Sequence, residues 1–115
     1  MVTLFGIKNC DTVKKACKWL NSNSIQYQFH DFRVDGLDQN QVSGWTKKIG
    51  MENLLNKRST TWKQMSEIDK HRLLNTGDIK IIVANPTVIK RPVLVRQNEI
   101  LVGFDSDRYK QLFSV

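Results

Sequence analysis

The chain opens on a short apolar run, Val2-Thr3-Leu4-Phe5, ended by Gly6, which reads as a strand. Beyond it Val13, Ala16, Cys17 and Leu20 recur at i, i+3, i+4 and i+7, the spacing of one helical face. Asp11 or Thr12 is placed to cap that helix. Asn21 to Ser24 forms a turn cluster, and IQYQFHDF, from Ile25 to Phe32, alternates apolar and polar residues as a second strand does. Strand, helix and strand within about 30 residues make a βαβ unit, whose strands run parallel with a right-handed crossover.

From Leu37 to Val83 the pattern is helical. Asp38 caps a helix carrying Val42, Trp45 and Ile49. Leu54 and Leu55 precede a polar stretch, NKRSTTWK, which reads as a loop. Shorter helices are expected over Met65 to Asn75 and Asp78 to Ala84, with Pro86 stopping the last. VIKRPVLVRQ and ILVGF are β runs joined by a tight turn at Gln97, Asn98 and Glu99, hence an antiparallel hairpin. SDRYKQLFSV closes the chain as a helix capped by Asp105 or Ser106. The order βαβ, helical middle, ββα predicts an α/β, thioredoxin-like fold: a four-stranded mixed sheet with a helical insertion. We expect one domain over 1–115, with the βαβ unit at 1–36, the insertion at 37–84 and the ββα unit at 85–115.

Composition narrows the class. At 115 residues the chain is long enough for one modest core. A mean hydropathy of -0.41 is that of a soluble protein, and no apolar run nears the roughly 20 residues that span a bilayer. The start carries no secretory pattern, so the expected compartment is the cytoplasm and no membrane partner is expected. Thiols stay reduced there, and the two cysteines are not expected to pair. The net charge of +7 favours anionic partners. Its cations are spread along the chain without an interleaved aromatic stripe, so direct nucleic-acid binding is not expected.

The chemistry gathers at GIKNCDTVKKA. Cys10 falls between the first strand and the first helix, at the carboxyl end of a strand, where open α/β sheets place ligands. A cysteine at a helix N-terminus meets free N–H groups and the positive end of the dipole, which favour the nucleophilic thiolate. Lys8 adds positive charge and Asp11 opposes it. The competing reading is a half-buried small residue without chemistry. Cys17, on the apolar stripe, is expected in the core. It lies two helical turns from Cys10, ~10 Å along the axis, beyond the reach of an unstrained disulfide. Val13 stands three places after Cys10, so there is no C-x-x-C, and a resolving thiol must come from outside the chain.

Two further segments bear on an anion. In NPTVIKRPVLV, Arg91 precedes Pro92 at a strand start; X-Pro bonds are the common cis peptides. In thioredoxin-type folds this loop faces the cysteine loop, which would aim the Arg91 guanidinium at the thiolate or its adduct. The plain alternative is that Lys90 and Arg91 are solvated charges. In LLNKRSTTWK, Lys57 and Arg58 lie among hydroxyl residues that can clamp an anion or merely connect two elements. His30, His71 and the cysteines have no zinc-ligand spacing, so no metal is expected. Trp45 and Trp62 are expected to anchor the insertion's core, and Trp19 to edge the main one or stay exposed.

GIKNCDTVKKA, LLNKRSTTW, NPTVIKRPVLV and ILVGFDSDRY, taken in this order over nearly the whole chain, resemble the arsenate reductase-like (ArsC/Spx) family, most closely its YffB-like branch. The resemblance implies a thiol-dependent reductase, with glutathione as co-substrate and no bound cofactor, or a Spx-like regulator scaffold that binds RNA polymerase. Position by position it makes Cys10 the nucleophile, Arg91 the arginine set against it, Pro92 a cis residue and Arg58 the middle-segment arginine. Lys8, Asn9, Asp11 and Thr12 would present backbone N–H groups or side chains to the substrate, as would the peptide groups beside Pro92. The implied partners are glutathione or another small anionic or thiol substrate, and glutaredoxin. The arginine that follows a leucine pair in arsenate reductases is displaced here, since Asn56 follows Leu55. LVGF stands where a third arginine falls, leaving an arsenate cage incomplete, and the Spx-type C-x-x-C switch is absent. Arsenate reduction is therefore the weaker variant of the enzyme reading.

Overall fold

Strand β1 (Val2–Gly6) is the sheet's inner strand, and all but Thr3 of its residues are buried. The computed structural model describes residues 1–115. In it β1 pairs in parallel with β2 (Gln28–Asp31) and antiparallel with β3 (Val93–Arg96), which pairs antiparallel with β4 (Glu99–Val102). The sheet order is β2-β1-β3-β4. Helix α1 (Asp11–Ser22) crosses between the parallel strands, giving the expected thioredoxin-like fold with its four-stranded mixed sheet. The chain divides into two compact units, Met1–Asp31 with Arg91–Val115, and Phe32–Lys90. No helix is long and apolar enough to cross a membrane.

In the first unit, α1 buries Val13, Ala16 and Leu20 on the predicted stripe. They join a core with Val2, Leu4, Leu94 and Tyr109, the last from a C-terminal helix (Ser106–Phe113) capped by the Asp105 carboxylate. Full burial of side chains such as Leu4, Leu20 and Leu94 contributes about 1.5–3 kcal/mol each. Trp19 and Phe104 meet the Tyr109 ring edge-on, at 5.4 and 4.9 Å between centroids. Trp19 thus edges the core. Gly6 sets how near α1 approaches β1, because a Cβ there would lie 2.8 Å from Cγ2 of Val13. Between β3 and β4 the chain reverses at Gln97 and Asn98, with Gln97 at a positive φ of 55°.

The second unit is mostly helical. It holds α2 (Gln39–Ile49), α3 (Met51–Leu54), α4 (Thr60–Gln64), α5 (Glu67–His71) and α6 (Ile79–Ala84), and the C-terminal helix is accordingly α7. A π turn, Arg72–Thr76, continues α5 to a left-handed Gly77. Trp45 and Trp62 are buried here with Val42, Leu54, Leu73 and Ile82, as insertion-core anchors. Asp38 caps α2 through the Asn40 N–H at 2.8 Å.

Four local expectations give way. The second strand is only Gln28–Asp31, because the N–H of Ile25 returns to the Leu20 carbonyl (3.0 Å) and Ser24 takes φ 55°, so the helix end consumes the strand's start. The β run after Pro86 does not begin at Val88. Pro86 opens a 3-10 turn, Pro86–Val88, and Lys90 donates to the Leu54 carbonyl (2.9 Å), so β3 starts only at Val93. The NKRSTTWK loop contains α4, because the Ser59 hydroxyl accepts the Trp62 N–H at 3.1 Å and starts a helix. Finally, neither Asp11 nor Thr12 caps α1; Cys10 holds that position.

Candidate functional site

Cys10 is the N-cap residue of α1, with extended backbone angles of φ -141° and ψ 122°. Its carbonyl accepts the Lys14 N–H at 2.9 Å, while no side chain caps the first turn. A serine or aspartate at this position would turn its oxygen onto the N2 or N3 amide. Here the atom at that place is a sulfur, and the first-turn N–H groups of Thr12 and Val13 face the site. Cys10 is half-buried and a free thiol; Lys8, Asn9, Asp11 and Thr12 around it are exposed.

The strand register brings Arg91 and Pro92 to the same end of β1. Val93 pairs with Phe5, so the two residues before Val93 lie beside the chain that leaves β1 toward Cys10. The Arg91–Pro92 bond is cis, as expected; Pro92 is buried and Arg91 half-buried. Of the peptide groups flanking Pro92, its own carbonyl is engaged by the Gly103 N–H at 2.9 Å. A substrate backbone would therefore meet the Arg91 side of that bond. In this unit a half-buried thiol thus stands at the α1 N-cap position with first-turn amides beside it and Arg91 at the same end of β1, a set suited to a sulfur-bearing anion.

Arg58 belongs to the Phe32–Lys90 unit. Its N–H donates to Oδ1 of Asn56 at 3.0 Å, and its side chain is exposed. Its neighbour Lys57 is already engaged, 2.9 Å from the Glu52 carboxylate and 5.9 Å over the Trp62 ring. Within this segment Arg58 and Lys63 are exposed cations, whereas Lys57 is paired.

Cys17 departs from the core reading. It packs against the apolar cluster but is half-buried, and it lines a cleft of about 470 Å³ with Lys8, Lys14 and Phe29. The Tyr27 hydroxyl hydrogen-bonds to its sulfur. Burial first, and then that bond, push the Tyr27 pKa up to about 12. The pKa of Tyr109 is raised further, chiefly by burial. The signal in the sequence was the flanking of Cys17 by Lys14 and Lys18: a residue between two exposed lysines sits at the margin of a stripe.

The ArsC family model matches residues 5–112. The chain belongs to the ArsC family. A Haemophilus influenzae protein described as uncharacterized is 45% identical over 99% of this chain and 100% of its own. The global transcriptional regulator Spx of Streptococcus pyogenes is 28% identical over 99% of this chain and 86% of its own. Among solved structures, the YFFB protein superposes with a TM-score of 0.91 at 38% identity, covering 96% of this chain and 97% of that one. An arsenate reductase (ArsC) related protein from Brucella melitensis has a TM-score of 0.74, also at 38% identity, covering 99% and 95%. The family match begins at Phe5 and takes in both Cys10 and the Arg91–Pro92 segment.

Proposed function

We propose that the protein is a glutathione-dependent thiol oxidoreductase of the cytoplasm, with Cys10 as nucleophile. The observation that carries this reading is the Cys10 sulfur at the α1 cap position, with Arg91 at the same end of β1. In the first step the Cys10 thiolate attacks the glutathionyl sulfur of a mixed disulfide, forming Cys10–S–S–glutathione and releasing the other partner as a thiolate. In the second, a glutathione thiolate attacks that adduct, yielding glutathione disulfide and restoring the Cys10 thiolate. The sum of the two steps converts one mixed disulfide and one glutathione thiolate into one released thiolate and one glutathione disulfide, so thiols and disulfides balance and no resolving cysteine is required. Arg91 holds a glutathione carboxylate by charge-assisted hydrogen bonds. Arg58 is assigned the same task on the family resemblance alone. The amides of the α1 first turn stabilise the charge that returns to Cys10.

The test is turnover of a small glutathionyl mixed disulfide by glutathione. Cys10→Ser should abolish it and Cys17→Ser should retain it. Equal activity of wild type and Cys10→Ser would refute the mechanism.

A second reading is supported by the Spx similarity along 99% of the chain: a scaffold that binds RNA polymerase. Capture of the polymerase α subunit by the Cys10→Ser protein, together with no turnover by wild type, would favour it. Arsenate reduction has less support, because Leu101-Val102-Gly103-Phe104 supplies no arginine.

A further inference from the structure

The cleft that reaches Cys17 runs along α1 in the first unit and is distinct from the cap position of Cys10. Val13 and Phe29 form its apolar walls, Asn21 and Ser22 its polar end, and Lys8, Lys14 and Lys18 its rim. No acidic side chain lines it, and none of the three lysines has an acidic partner. By contrast, Lys57 and Lys70 lie beside Glu52 and Glu67. Lys14 and Lys18 are four residues apart on one helix, so their like charges work against the helix that carries them. Three uncompensated ammonium groups around an apolar concavity suit a ligand with both an anionic head and an apolar body. At about 470 Å³ the volume is that of a small-molecule site rather than a protein-docking face.

We infer that this cleft binds a small organic carboxylate with a flat apolar body, through Lys8, Lys14 and Lys18, independently of Cys10. Phe29 and Val13 cover the body, and the lysines take the carboxylate.

The full-length Cys10→Ser protein, which keeps only the Cys17 thiol, tests this with two probes: naphthylacetate and its neutral isostere naphthylacetamide. Backbone amide shifts map the site, and Cys17 alkylation by iodoacetamide gives a second readout. Naphthylacetate should shift amides of α1 and β2 and slow Cys17 alkylation, and the amide should do neither. Lys14→Gln with Lys18→Gln, both at exposed positions, should weaken the acid about tenfold while leaving the spectrum folded. Equal binding of acid and amide would overturn the anion site. So would shifts centred on residues 9–12 and 91–92, or no shift at the probe's solubility limit. Failure of the Cys10 mechanism would leave this result unchanged, since the nucleophile is absent throughout.

Discussion

At Cys10 a single side chain is both the helix-cap residue and the proposed nucleophile. The usual cap oxygen would compete for the first-turn amides; the sulfur leaves them to the developing charge. Arg91 supplies a planar fork rather than a point charge, so Arg91→Lys tests geometry apart from charge. We expect Arg91→Ala to raise the KM for the glutathionyl substrate roughly tenfold or more, the scale of a lost charge-assisted bond. Arg91→Lys should recover only part of it, and full recovery would reduce Arg91 to a nonspecific cation. Tyr27 gives a pH prediction. Its folded pKa, about 12, lies above the ordinary tyrosine value of about 10. Its contribution to stability is therefore complete below the ordinary value and lost as pH climbs through the raised one. Denaturation midpoints just below and well above the ordinary value should show a drop in the wild type that is smaller in Tyr27→Phe.

At the scale of elements, the contact between β1 and α1 sets the site. Gly6→Ala would drive a Cβ into the short, buried Val13 side chain and push α1 from the sheet. A loss of about 1–3 kcal/mol in unfolding free energy is expected, together with slower Cys10 chemistry; an unchanged stability would mean that α1 moves freely. Ser59→Ala removes the α4 cap and should cost about 1 kcal/mol, measured by denaturant unfolding. These elements also show where the sequence could be read. The α1 stripe and the Asp38 cap were legible because apolar spacing and a capping side chain are local signals. The short β2 was not, because the Ile25 N–H is taken by Leu20, a preference that alternation alone does not report. Helix α4 was hidden in a polar stretch, since its only buried residue is Trp62. The cap position of Cys10 was missed because Asp11 and Thr12 are both ordinary capping residues.

Across the whole molecule, the order βαβ, helices, ββα predicted the strand pairing, and the pairing brings Cys10 and Arg91 to one end of β1. The proposed nucleophile and its proposed arginine stood out in the sequence as candidates, and their shared location follows from topology. Of the Cys17 cleft only the margin was readable, in Lys14 and Lys18, since a stripe of apolar positions does not reveal which member faces an opening. The excess of 18 basic over 11 acidic residues is partly localised there, in Lys8, Lys14 and Lys18. The proposed mechanism requires that Cys10 carry glutathione as a covalent adduct. The measurement is the intact mass of the Cys17→Ser protein after exposure to glutathione disulfide, followed by glutathione. A single glutathionyl adduct on Cys10 that glutathione then removes is the predicted result. No adduct, or one that glutathione cannot remove, would contradict the account.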